Sequence, residues 1–230
     1  MKLRVMTWNI HGGIGPDRRH DLARVMTLIK AHDPDVVALQ EIDSRGGKSL
    51  QGLPLDYLAG ALRPHVAEAR TIVAPDGHYG HALISRWPLS SVILHDISHG
   101  RWERRYAIEA DVQTPRGAVH VAAVHLGLWF GERRYQAAKL ARIADSAKPI
   151  SIMLGDFNDW TWRGPVQRAL AGALPACARH RTYPARWPLL QLDRIYCRPR
   201  EALLSSWTDP ASYTASDHLA VIAEIDLREA

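Results

Sequence analysis

The sequence predicts an α/β fold in which sheet packs on sheet with helices outside, within a single domain spanning residues 1–230. Three observations carry this. About nine short apolar runs rich in β-branched residues recur along the chain, bounded by Gly, Pro or Asp. Few stretches have helical periodicity, so strands dominate and must cover one another. No linker, low-complexity tract or internal repeat interrupts a length that suits one full core.

In chain order, the predicted strands begin with Leu3–Asn9, where Val5, Thr7 and Asn9 share one face and Trp8 takes the other. Leu22, Val25, Met26 and Ile29 then form one helical stripe. That helix should stop near Asp33, because the residue before Pro34 disfavours the α region. Strands follow at Asp35–Ile42, His81–Trp87, Ser91–Ile97, Arg105–Thr114 and Ala118–Leu126, with "TPRG" reading as a hairpin turn between the last two. Ala137, Leu140, Ala141 and Ala144 mark a second helix, ahead of a strand at Ile150–Asp156. A third helix is predicted within Gly164–Leu174, and the last strands are Gln191–Cys197 and Leu219–Leu227.

Hydrophobic residues at 47% and charged residues at 23% exclude a disordered chain. No apolar run approaches the ~18 residues of a membrane span, and "MKLRVMTWNI" lacks the apolar core of a signal peptide. Cys177 and Cys197 are too few for a disulfide scaffold and match no zinc spacing. A soluble, reduced, cytoplasmic protein is expected. The net charge of +5 favours acidic partners such as phosphates, nucleic acid or an anionic membrane surface, and selects none of them.

Polar residues gather where the apolar strands run out: Asn9, Glu41, His125, Asp156 and Asn158 at or just past strand ends, Asp193 on an otherwise apolar face, and Asp217 and His218 opening the last strand. Each alone has a plain explanation as a cap, a turn or a solvated group. A buried carboxylate, however, needs a partner or it neutralises, and so many strand-end polar groups together suggest a site.

The motifs "TWNIHG", "LQE", "HLG", "GDFN", "LDRIY" and "SDHLAV", in that order, resemble the endonuclease/exonuclease/phosphatase superfamily, and "RTYPARWPLLQLDRIY" resembles a small bacterial branch of it. The resemblance covers Leu3 to Ile225. It implies a four-layer α/β sandwich with two central, mostly antiparallel β-sheets flanked by helices, as in deoxyribonuclease I. It also implies Mg²⁺ or Mn²⁺ on an all-oxygen set of Glu41 with Asn9 and Asp217. Asp156 would orient and deprotonate the attacking water, and Asn158 would hold Asp156 or a phosphate oxygen. His218, oriented and kept protonated by Asp193, would stabilise the charged transition state. His125 would offer the phosphate a second imidazole, and Arg105 is a candidate phosphate clamp.

Other signals carry less. "GGKS" at Gly46 to Ser49 resembles the end of a phosphate loop, but position 42 is Ile where that motif needs Gly. His78 and His81 in "HYGH" are expected at the surface or behind the site; His81 departs from the branch, which has Asn near there. Trp102, Trp129, Phe130, Trp160 and Trp162 are either core or a substrate rim, on which bases could stack or lipid could rest. Arg101, Arg104, Arg133 and Arg134 are interleaved with them. The expected activity is metal-dependent hydrolysis of a phosphodiester, with a lipid headgroup or small molecule as substrate, by a monomer without an obligate protein partner. A DNA or RNA nuclease is the enzymatic alternative. A catalytically inactive binding module would lack at least one of the residues named, and all are present.

Overall fold

The computed structural model describes residues 1–46, 54–161 and 163–228, so Lys48 and Ser49 of "GGKS", and Trp162, lie outside the described residues. The described residues form β1 (Lys2–Asn9), α1 (Leu22–His32), β2 (Val36–Asp43), α2 (Pro54–Leu62), β3 (His65–Ala74), β4 (Gly77–Ser85), β5 (Leu89–Asp96) and β6 (Tyr106–Thr114). They continue with β7 (Gly117–His125), α3 (Phe130–Ala144), β8 (Ser151–Asp156), α4 (Pro165–Leu170), β9 (Ala176–Arg179), β10 (Asp193–Arg198), β11 (Leu203–Asp209) and β12 (Ala220–Asp226). Two six-stranded sheets result, ordered β11-β12-β1-β2-β4-β3 and β5-β6-β7-β8-β10-β9.

Pairing is antiparallel except for β1 with β2 and β7 with β8. Parallel neighbours need a crossover, and α1 and α3 supply the two. The predicted hairpin is present, with Thr114 opposite Gly117. Asp21 caps α1 by accepting a hydrogen bond from the Arg24 N–H at 3.2 Å. Asp33 takes a left-handed φ of 43° just before Pro34 and ends the helix where the sequence places its end.

The alternation of each strand explains the layers. Leu3, Val5, Val36, Leu83, Val121, Ile152, Leu154, Ile195 and Val221 point inward and fill the space between the sheets. Met6, Trp8, Val37, Leu39 and Ile222 point outward under Val25 and Ile29 of α1 and Leu58 of α2. Ala122, Val124, Met153 and Tyr196 face Leu140 and Ile143 of α3 and Val166 and Leu170 of α4. Helix, sheet, sheet and helix give the four-layer α/β sandwich.

The structure adds β3, β9, β11 and α2 to the predicted elements and shortens the third predicted helix to Pro165–Leu170. β4 starts at Gly77 rather than His81 and takes in "HYGH". His78 and His81 are therefore buried inside a paired strand and not at the surface. Among the described residues, no helix is long and apolar enough to cross a membrane.

Candidate active site

Three adjacent strands bring three of the predicted residues side by side. His125, the last residue of β7, is paired in register with Asp156, the last residue of β8. Asp156 is in turn paired with Asp193, the first residue of β10. Gly155 permits this: a Cβ there would stand 1.9 Å from the Val124 carbonyl oxygen, so only glycine lets β7 and β8 close at the end that carries the carboxylate.

The other sheet contributes through β1 and β2. Asn9 ends β1 beside Gln40, and the ladder between β2 and β4 then slips between Leu39 and Ile42. This bulge re-aims Glu41, whose φ is 59°. Asn9 joins the two sheets, donating from Nδ2 to Glu41 Oε1 at 2.8 Å and to Asp156 Oδ2 at 3.1 Å. The loop before β12 is pinned against β1, because Ser216 Oγ donates to the Asn9 carbonyl at 2.7 Å and Trp8 Nε1 donates to the His218 carbonyl at 2.9 Å.

His218 Nδ1 lies 2.8 Å from Asp193 Oδ2, and the Tyr183 ring packs 4.9 Å away. Burial alone lowers the imidazole pKa, but the charges of Asp193 and Asp156 outweigh it and raise it to about 10. His218 is therefore a cation at neutral pH, with both ring nitrogens donating. Asp156 moves the opposite way from an ordinary carboxyl. Burial and then the neighbouring Asp193 charge raise it, against His218 and the hydrogen bonds from Asn9 and the Asn158 N–H.

His125 is neutral, since burial and then the Arg105 charge hold its pKa well below the usual value. Arg105 donates from Nη1 to His125 Nδ1 at 3.0 Å, which leaves the proton on Nε2, 3.7 Å from Asp156 Oδ2. Arg105 is buried and also grips Glu103 at 3.1 Å, so its guanidinium is turned inward onto these two partners. The Asn158 side chain donates to the Leu126 carbonyl at 2.9 Å, while its backbone N–H, at φ 49°, holds Asp156. His81 is buried, and burial, then the Arg105 charge, pushes its pKa down to about 3 against a backbone contact with Ala123.

One residue at the centre lies outside the sequence expectation. His11, with φ 46°, puts Nδ1 at 3.6 Å from Glu41 Oε2 and 3.5 Å from Asp217 Oδ1. Asp217 Oδ1 is buried and has no hydrogen-bond donor. Burial by itself raises the Glu41 carboxyl, but the contact with His11 and the hydrogen bond from Asn9 bring it down to about 2, so it is ionised. The contact with Glu41, and then the Asp217 charge, raise the His11 pKa against burial, so His11 stands as a cation between two carboxylates whose converging oxygens are the donors that fit a hard divalent cation in its place. Asp156, Asp193 and His218 also offer ligand atoms within 4.8 Å of one another. A protonated, ion-paired imidazole is no ligand, however, and the Glu41 side of the site fits a metal better.

The sequence profile of the Endonuclease/Exonuclease/phosphatase family matches residues 6–218. YbhP of Escherichia coli (strain K12), described as uncharacterized, is 32% identical over 97% of this chain and 96% of its own. The chain belongs to the endonuclease/exonuclease/phosphatase family. The enzymes of this family hydrolyse phosphate esters and generally use divalent metals. Among solved structures, an endonuclease/exonuclease/phosphatase from Beutenbergia cavernae superposes with a TM-score of 0.81 at 24% identity, covering 97% of this chain and 71% of the other. Humanized D. rerio TDP2 gives 0.70 at 16% identity, covering 98% and 99%. The human Nocturnin catalytic domain with bound sulfate gives 0.65 at 18% identity, covering 98% and 94%. At these identities the likeness is one of fold.

The aromatic residues of this family member divide. Trp8 is core, whereas Trp102, Trp129, Phe130 and Trp160 are exposed beside the site. Trp102 stacks on Trp129 at 5.3 Å, and the Arg133 guanidinium covers the Trp160 ring at 4.3 Å. Arg133 is buried, unlike the exposed Arg101, Arg104 and Arg134. Spacing held a signal for His11, which stands two residues after Asn9. Tyr183 lies within the branch motif "RTYPARWPLLQLDRIY" but carried no assigned role, and nothing in the sequence pointed to Glu103.

Proposed function

We propose that the chain is a divalent-metal-dependent phosphodiesterase that hydrolyses its substrate by in-line attack of water, with a lipid headgroup or small-molecule diester as substrate. The observation that carries this is Asp156. It is buried, raised above an ordinary carboxyl, and set in register between a neutral His125 and the Asp193–His218 pair. A carboxylate so placed is a general base tuned toward neutral pH.

In this reading Asp156 orients the water and takes its proton, held in place by the Asn9 amide and the Asn158 N–H. His125 presents Nε2–H toward Asp156 Oδ2, and Arg105 fixes that tautomer. His218 supplies a cationic donor aimed at the charge that grows on the phosphoryl oxygens, where such donors matter most. Mg²⁺ or Mn²⁺ would be held by Glu41 and Asp217, with Asn9 and His11 adjoining. When bound, it neutralises phosphate charge and acidifies water.

The test is a hydrolysis screen across phosphodiesters, nucleic acids, phospholipids and sugar phosphates, with Mg²⁺ or Mn²⁺ and with chelator. Metal-dependent turnover of a diester, lost in Asp156→Asn, is the expected result. Metal-independent turnover refutes the assignment, and rapid nicking of plasmid DNA that Asp156→Ala abolishes would make the protein a nuclease instead.

A further inference from the structure

Six large apolar side chains beside the active site remain 47% to 66% exposed: Trp102, Leu128, Trp129, Phe130, Trp160 and Leu189. Single exposed apolar residues are ordinary, whereas contiguous ones mark an interaction surface. These are contiguous. Trp102 stacks on Trp129, which adjoins Leu128 and Phe130 in the chain. Arg133 donates to the Leu128 carbonyl and lies over Trp160. Trp160 and Leu189 then line one cleft of about 190 Å³. The segments that carry the aromatics lead into Arg105 and out of His125 and Asn158, and Leu189 lies in the segment that leads into Asp193.

Charge surrounds this rim with one sign. Arg101, Arg134 and Arg181 are exposed and make no ion pair among the described residues. The nearby acids are turned inward, Glu103 toward Arg105 and Thr71, and the buried Glu132 and Asp159 toward Gln136 and Thr161. The whole chain carries +5. We propose that this rim docks the protein on an anionic lipid bilayer, with the aromatic and leucine side chains at the headgroup–acyl boundary and the arginines on lipid phosphates.

A nucleic-acid platform is the competing use, and the geometry disfavours it. Base stacking needs open ring faces, but Trp102 and Trp129 each give one face to the other at an interplanar angle of 27°, and Arg133 takes one face of Trp160. Leu128 and Leu189 have no face to offer. Exposed edges and aliphatic chains suit the interfacial layer of a bilayer, where tryptophan lodges readily. Apolar burial and attraction to anionic lipid then add, each arginine near the surface being worth about fivefold in affinity.

Docking needs no turnover, so its failure is distinguishable from failure of the hydrolase reading. The experiment is co-sedimentation of the full chain, in chelating buffer, with phosphatidylcholine vesicles that do or do not contain phosphatidylglycerol. Wild type should bind the anionic vesicles, bind the neutral ones weakly, and keep part of its affinity at high salt because the apolar contribution is unscreened. Trp102→Ala/Trp129→Ala should weaken binding by about tenfold or more, and Leu204→Ser, an exposed leucine at the far end of the other sheet, should not. Brominated acyl chains should quench the tryptophan fluorescence of wild type, a readout that needs no variant to fold. Absence of binding to anionic vesicles, or equal binding by the rim variant, overturns the proposal. So does a rim variant that loses affinity for single-stranded DNA and keeps its affinity for vesicles.

Discussion

Replacing Asp193 by Asn keeps the shape of the side chain and removes the charge that holds the His218 proton. Asp193 is fully buried, and its Oδ2 lies 2.8 Å from His218 Nδ1, so no water can substitute for the lost carboxylate. In the native site His218 titrates at about 10. Without Asp193, burial is opposed only by the Asp156 and Asp217 charges, and the value should return to the ordinary ~6.5 or below. At pH 8 the charged fraction then falls from about 99% to about 3%, which predicts a loss of roughly thirtyfold. At pH 6 about three quarters of the variant is charged, so the loss should nearly vanish. The assay is the initial rate on bis-p-nitrophenyl phosphate at saturating Mn²⁺, read as the ratio of variant to wild type across pH. Taking the ratio removes most of the acid limb contributed by Asp156, which the loss of Asp193 itself lowers further and so favours the variant at low pH. A ratio that is flat with pH would show that Asp193 orients the imidazole without charging it. A ratio near one throughout would remove the pair from the mechanism.

Asp156→Asn should lose ~10²–10⁴-fold in turnover with the fold intact by circular dichroism. His218→Ala should lose on the order of 10²–10³-fold, and the double variant less than the product of the two, since both act on one step. Chelation by EDTA should abolish hydrolysis and Mg²⁺ or Mn²⁺ restore it. Because His11 pairs with both Glu41 and Asp217, the cations compete for the same oxygens, and His11→Ala should tighten Mn²⁺ binding at neutral pH, followed by electron paramagnetic resonance; weaker binding would make His11 a ligand. The raised pKa of His218 also makes stability depend on pH. Its contribution is complete below the unfolded value of ~6.5 and lost as pH rises toward about 10, so metal-free wild type should melt progressively earlier over that window and Asp193→Asn should not.

Much of this was legible, because both the fold and the site are written in strand ends. Asn9, His125, Asp156 and Asp193 each sit where an apolar alternation begins or stops, and pairing aligned those ends without further information. The elements that escaped have weak patterns. β3 alternates only small Ala67 and Ala69 inward, β9 is four residues long, and β11 is an edge strand carrying exposed Leu204 and Ser205. Glu41 was found by its position after "VVALQ", but its direction was not readable, because a bulge breaks the alternation that would have given it. His11 escaped for a related reason. It lies beyond the strand in a short 3-10 turn, and its aim depends on a left-handed backbone angle rather than on a period.

That angle recurs at Glu41 and Asn158, so three non-glycine residues of the site occupy backbone territory that glycine enters freely. Such residues cost on the order of 1–3 kcal/mol each. A selection for thermal resistance alone, blind to turnover, would therefore have reason to erode position 41 toward glycine, relaxing the bulge while discarding the carboxylate. Directed evolution of this scaffold for robustness should be run with an activity filter from the first round, because the mutations easiest to win by heat challenge lie inside its working parts.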